Sequence, residues 1–165
     1  MKKLPLFRIA VHIFAWIPAA WLVWDYYAGN LSVNPIQDGE QRLGKYALVL
    51  LLFSLSATPA NTLFCFRPAL QVRRALGLYA FMYASLHVFA FLVLDFALDW
   101  GAIAQEILQK LYIWYGVGAF LILAALAATS FKSSMRRMGK SWKRLHGLVD
   151  IAGPMVIVHF AWASK

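Results

Sequence analysis

Long apolar stretches alternate with short polar ones along the whole chain. Five stretches are long enough to cross a bilayer, which takes about 20 largely apolar residues. They run roughly over 7–28, 46–66, 75–95, 112–131 and 145–164. The fifth is the least apolar, because it carries Asp150 and two histidines. Pro18, Pro59 and Pro154 read as kinks near or within spans. Small residues at Gly116, Gly118, Ala124, Ala125, Ala127 and Ala128 predict close helix packing along the fourth span. The predicted fold is all-α: a polytopic bundle of five transmembrane helices, with residues 1–165 forming one domain.

Composition agrees. The 165 residues are 62% hydrophobic, and mean hydropathy is +0.63. Soluble domains are usually about 45–50% apolar. No glycine-rich phosphate loop is present, so a nucleotide-binding fold is not supported. The single cysteine, Cys65, can make neither an internal disulfide nor a thiolate-ligated cluster, and reads as packing at a helix end. The basic, then apolar, start resembles a signal peptide. No small-residue cleavage site interrupts it before Trp24, so it reads as a retained first helix.

The net charge of +9 is not spread evenly. Lys2, Lys3 and Arg8 precede or open the first span. Arg67, Arg73 and Arg74 fill the second loop, and Lys132, Arg136, Arg137, Lys140, Lys143 and Arg144 the fourth. The first loop balances Asp38 and Glu40 against Arg42 and Lys45. The third sets Asp95, Asp99 and Glu106 against Lys110. Basic excess in alternate loops is a topology signal, not a nucleic-acid footprint. It predicts a multi-pass membrane protein with its N-terminus in the cytoplasm and its C-terminus outside. Trp16, Trp21, Trp24, Trp114 and Trp162 fall mostly near span ends, as an aromatic belt would. Trp142, in the basic loop, also reads as a belt residue; the alternative is stacking on a ring.

Ionisable residues within spans are functional candidates. His87 lies 13 residues past Arg74, and His159 lies 15 past Arg144. Spans three and five run in the same direction. At ~1.5 Å per residue both histidines sit roughly 20 Å from the cytoplasmic edge. Two such imidazoles can serve as an axial pair for a haem iron. The alternative is two core histidines, each bonded to a backbone carbonyl.

His146 stands at the cytoplasmic mouth of span five, and His12 about one turn into span one. On an ideal helix His146 and His159 are rotated by about 220°, so they face differently. Gly153 and Pro154 lie between them and disturb that phase. His146 is a candidate ligand for a second haem or another cofactor contact, with His12 as its possible partner. Alternatively, His146 is an interfacial residue that binds lipid phosphate or caps the loop. Asp150, one turn beyond on the same face, could orient that imidazole, but reads rather as paired with a loop arginine. Arg73, Arg74, Lys143 and Arg144 could neutralise haem propionates or a flavin phosphate. The basic fourth loop could equally hold lipid headgroups.

The segments RRALGLYAFMYASLH (73–87) and RRMGKSWKRLHGLVDIAGPMVIVHFAW (136–162) resemble the MsrQ (YedZ) family, within the ferric-reductase-like transmembrane group. So do VHIFAWIPAAWLVW (11–24), NPIQDGEQRLGKYAL (34–48) and SATPA (56–60). The likeness runs in order over essentially the whole chain. It implies a subunit carrying one or two b-type haems, with flavin mononucleotide (FMN) as a further cofactor. It also implies electron transfer from a cytoplasmic flavin reductase or the quinone pool to MsrP, a periplasmic molybdenum enzyme that repairs methionine sulfoxide in envelope proteins. The family's haem histidines fall on His87, His146 and His159, and His12 also matches. Two departures stand out. Members of the family usually carry a sixth helix beyond the position of Trp162, and a flavin or quinone contact made by it would be absent here. Asp150 stands where an uncharged, often aromatic residue is expected.

The expected function is an electron conduit, not a complete enzyme. Neither an NAD(P)H domain nor a molybdenum site is evident, so donor and terminal reductase are separate proteins. The rivals are a stand-alone quinol- or metal-reducing cytochrome and a haem-free membrane scaffold.

Overall fold

The computed structural model describes residues 4–163. Lys2 and Lys3 of the charge argument lie outside them. The described residues form helices and no strand. Five helical segments among them are long and apolar enough to cross a membrane: Leu6–Tyr27, Pro35–Phe64, Arg67–Asp95, Leu111–Ala128 and Lys140–Ala163. The expected five-span, all-α architecture is therefore present. The chain divides into two compact units, Met1–Asp95 and Phe96–Lys165, described in turn.

The first unit is a three-helix assembly. Helix α1 (Leu4–Tyr27) carries Pro18 internally. Proline has no N–H to donate and crowds the preceding turn. A buried phenol supports the backbone just there. Tyr83 Oη donates to Ala15 O at 2.7 Å and accepts from Ala19 N at 3.1 Å. Most large apolar residues of α1 face outward, among them Ile13, Phe14, Trp16, Trp21 and Trp24, as lipid-facing side chains would.

Helix α2 (Pro35–Phe64) starts earlier than apolarity alone suggests. Asn34 accepts a hydrogen bond from Gln37 N, and Pro35 sits at the first helical position. Both are strong start signals. Arg42 then ties the helix start to α1. Its Nε contacts Asp38 Oδ1 at 2.8 Å, and its Nη1 contacts the buried Asp25 Oδ2 at 2.5 Å. Cys65 ends α2 in the left-handed conformation (φ 52°) and is exposed, not packed inside.

Helix α3 (Arg67–Phe89) returns antiparallel to α2, and the helix continues as a π-turn over Ala90–Asp95. Arg67, Arg73 and Arg74 thus lie within α3, not in a loop. Leu51 of α2 and Ala80 and Tyr83 of α3 form the tightest part of this unit's core. Ser54 Oγ donates to Arg73 O at 2.9 Å across the α2–α3 interface.

The second unit begins with a short helix, α4 (Trp100–Gln109), capped by Asp99 on Gly101 N and Ala102 N. The extended backbone of Lys110 separates it from α5 (Leu111–Ala128). The predicted basic loop is instead two short helices, α6 (Lys132–Met138) and α7 (Lys140–Gly147). Gly139 joins them at φ 54°, ψ −121°, a conformation open to glycine. Helix α8 (Val149–Ala163) runs antiparallel to α5 and stays helical through Pro154. Small residues let the two approach closely: Ala119 and Ala152 are buried, and Gly118 lies under the Met155 side chain.

Candidate functional site

His87 lies in the last turn of α3, facing α2. Its Nδ1 lies 2.9 Å from Glu40 O. A carbonyl only accepts, so the Nδ1 proton is fixed there. The Glu40 carboxylate is farther off, with Oε1 4.0 Å from Nδ1. The ring rests on Gly44, where a Cβ would stand 3.2 Å from Nδ1.

His159 repeats this arrangement in the second unit. Its Nδ1 lies 2.8 Å from Tyr112 O on α5. The ring rests on Gly116, where a Cβ would stand 2.8 Å from both Nδ1 and Cε1. In each unit the histidine reaches a carbonyl 47 residues upstream in sequence. In each, the glycine follows that carbonyl by four residues, one helical turn on the same face.

With the proton on Nδ1, Nε2 carries the imidazole lone pair. A metal-ligating histidine typically donates its other N–H to a carbonyl or carboxylate, which fixes ring and tautomer. Both residues fit a haem-iron ligand in this respect. The same hydrogen bond was the mark of the rival expectation, a plain core histidine, so the bond alone does not separate the two. Among the described residues no group of three or more His, Cys, Asp or Glu side chains could hold a bare metal ion.

The other expected site residues are placed differently. His12 is exposed on α1 and its Nδ1 meets Tyr79 Oη at 2.8 Å. Arg73 Nη1 donates to Thr58 Oγ1 at 2.8 Å, and Arg74 is exposed. Both stand near the opposite end of α3 from His87, ~20 Å away at the helical rise. Lys143 and Arg144 are exposed on α7, at the far end from His159 in the same way.

His146 takes part in a local cluster. Its ring stacks on Trp142, with centroids 4.0 Å apart and planes 24° from parallel. Its Nε2 lies 3.1 Å from Thr129 Oγ1. The threonine hydroxyl directs its own proton to Ala125 O at 2.7 Å, so Nε2 of His146 is the donor. Its tautomer is therefore opposite to that of His87 and His159. Trp142 Nε1 donates to Thr129 O at 2.9 Å, so it is a loop anchor as much as a belt residue. Asp150 is exposed in the first turn of α8. Among the described residues no ion pair involves it, contrary to the expected loop-arginine pairing. A carboxylate at a helix N-terminus is stabilised by the backbone dipole instead.

Sequence reasoning missed four participants: the carbonyls of Glu40 and Tyr112, and Gly44 and Gly116. Gly116 was read as general packing on the fourth span. A four-residue spacing from the glycine to a carbonyl on the same helix leaves no mark in side-chain chemistry.

Comparison with known proteins places the chain. Residues 41–157 match the family described as ferric reductase like transmembrane component. A protein-methionine-sulfoxide reductase heme-binding subunit MsrQ from Rhodospirillum rubrum is 40% identical over 159 residues, covering 96% of this chain and 76% of the relative. The protein of the same name from Xanthomonas axonopodis pv. citri is 40% identical over 164 residues, covering 96% and 75%. The one from Caulobacter vibrioides is 38% identical over 151 residues, covering 91% and 72%. No solved structure matches. On these matches, supported by five membrane-length helices, the chain belongs to the MsrQ family of ferric-reductase-like transmembrane proteins.

Proposed function

We propose that this chain is a haem-binding electron-transfer subunit of a methionine sulfoxide reductase system, in which His87 and His159 would hold a b-type haem. The observation that carries the reading is the repeated histidine arrangement. Each Nδ1–H is held by a backbone carbonyl, which leaves the iron-bonding lone pair on Nε2. The relatives' name, a heme-binding subunit, supports the same cofactor. Span order and charge put α3 and α8 in the same direction through the bilayer, with both histidines in its outer half. Residues 1–165 serve as one haem-binding domain in the bacterial inner membrane.

Haem supplies one-electron chemistry when bound. The protein's part is to supply ligands, exclude water and fix orientation. The cytoplasmic N-terminus and basic α6–α7 segment face the donor, a flavin reductase or quinone. The outer ends of α3 and α8 face the acceptor, a periplasmic molybdenum-containing reductase of the MsrP type. Among the basic residues of α6 and α7, the stacked Trp142 and His146 with Lys143 and Arg144 are the place for a flavin mononucleotide contact or a lipid headgroup. His146 serves there, its ring stacked on Trp142 and its Nε2 within hydrogen-bond distance of Thr129, and ranks behind His87 and His159 as an iron ligand.

The test is a reduced-minus-oxidised spectrum of the detergent-purified chain with a pyridine haemochrome count. We expect about one low-spin b-type haem per chain. His87→Ala and His159→Ala should each abolish the low-spin signal in folded protein, while His146→Ala and His12→Ala should keep it. A low-spin spectrum that survives loss of both His87 and His159 would sink the ligand assignment. Two haems per chain would bring His146 and His12 back as ligands.

A further inference from the structure

The carbonyl bond fixes the proton on each histidine, but not how closely the ring approaches the neighbouring helix. That is set by what lies under the ring, and in both units it is a glycine. At Gly44 an added Cβ would lie 3.2, 3.4 and 3.7 Å from Nδ1, Cε1 and Cγ of His87. At Gly116 it would lie 2.8, 2.8 and 3.3 Å from Cε1, Nδ1 and Cγ of His159. Neither glycine has a positive φ, and both are within helices. The backbone therefore does not require glycine at either place. Glycine in a helix interior is less favourable than alanine, because it loses more backbone freedom on folding. The steric contact with the ring is what accounts for it here.

We propose that Gly44 and Gly116 are positioning residues, which let each imidazole lie flat against the helix that holds its Nδ1 proton and so set where Nε2 points. The inference rests on the ligand reading above and assigns to two glycines a role in it. A ring pushed outward by a methyl group cannot keep both its hydrogen bond and its Nε2 position. The two sites should respond unequally. A 3.2 Å contact is relieved by a shift of a few tenths of an ångström, whereas a 2.8 Å contact with a ring tethered by a 2.8 Å hydrogen bond is not.

The experiment compares Gly44→Ala and Gly116→Ala with two controls in the full chain. Gly39→Ala lies on α2 one residue from Glu40, where a Cβ meets nothing within 4 Å. Gly118→Ala lies on α5, where the Cβ meets only the mobile end of Met155. Helical circular dichroism and monodispersity confirm folding. Haem affinity and the low-spin electron paramagnetic resonance spectrum are read, together with histidine ring 15N shifts in haem-free protein. Gly116→Ala should lower haem affinity about tenfold or more, the range for lost support of a metal ligand. Gly44→Ala should retain haem with a shifted low-spin spectrum, and both controls should match wild type. In haem-free protein, Gly116→Ala should shift the His159 ring nitrogens toward the other tautomer.

Wild-type affinity, spectra and ring shifts in Gly44→Ala and Gly116→Ala would overturn the inference and leave the ligand assignment standing. So would equal haem loss in Gly116→Ala and Gly118→Ala, which would mark helix packing as the cause. A wild-type chain without low-spin haem would instead defeat the ligand assignment, and the iron-directed role of the glycines with it.

Discussion

Replacing Tyr83 with phenylalanine removes one oxygen from the tightest part of the first unit. Tyr83 is fully buried, and its hydroxyl makes two bonds to α1: it donates to Ala15 O at 2.7 Å and accepts from Ala19 N at 3.1 Å. A buried hydrogen bond is worth about 1 kcal/mol net in soluble proteins. Interhelical bonds in membranes average nearer about 0.6 kcal/mol. Two bonds then give roughly 1–2 kcal/mol. The lower end applies if Ala15 and Ala19, four residues apart, pair directly in the variant as helix backbone does. Pro18 sits between them and cannot donate, so this part of α1 has less hydrogen bonding to fall back on. The assay is reversible unfolding in mixed micelles, comparing Tyr83→Phe with Tyr46→Phe, whose ring meets Tyr83 edge-on at 5.7 Å. The haem spectrum should not change, because His87 is held by α2 and not by α1. A loss below about 0.3 kcal/mol, or one no larger than that of Tyr46→Phe, would refute the idea that the phenol braces the Pro18 turn.

Three other outcomes follow from particular contacts. Asp25→Asn leaves the half-buried Arg42 with Asp38 alone, and should cost about 1–3 kcal/mol in the same unfolding assay. Thr129→Val removes the acceptor of the His146 Nε2 proton while Trp142 keeps its bond to the residue 129 carbonyl. His146 ring 15N shifts should move, and Trp142 fluorescence should change little. At the α4–α5 junction the hydrogen bond from Lys110 to Glu106 holds the ammonium above its ordinary 10.5. A raised lysine value stabilises the fold below that ordinary value, and the contribution is lost as pH rises through the raised one. The pair is exposed, so Glu106→Gln should cost only a few tenths of a kcal/mol at neutral pH, and nothing once the lysine is deprotonated.

The five spans were legible because a bilayer imposes length and apolarity on every crossing helix. Their ends were less so where apolarity was the only guide. Helix α2 was placed from 46, yet it starts at Pro35. The signals were there: Asn34 as cap, Pro35 at the first position, and Asp38 four residues before Arg42. The arginines at 73 and 74 were assigned to a loop, although Pro68 beside Arg67 marks a helix start. The fourth loop was read only as a basic connection, but it holds two helices divided at Gly139. Asp25 escaped notice because its partner, Arg42, lies across a turn in a different helix. The histidines themselves stood out, as charged-type residues in hydrocarbon must. What holds them did not, since Glu40 and Tyr112 act through backbone oxygens.

Backbone acceptors govern how this pair of cradles can change over time. Glu40 and Tyr112 have nothing in common as side chains, yet each presents the same atom to an imidazole. Substitution cannot delete a main-chain carbonyl as it can a carboxylate; only a shift of the helix can take it away. The acceptor positions are therefore open to drift in residue identity, and the constraint moves to the residue one turn on, where a single methyl group is enough to be felt. In this protein the mutational sensitivity of a histidine's environment is concentrated at the positions with the least chemistry.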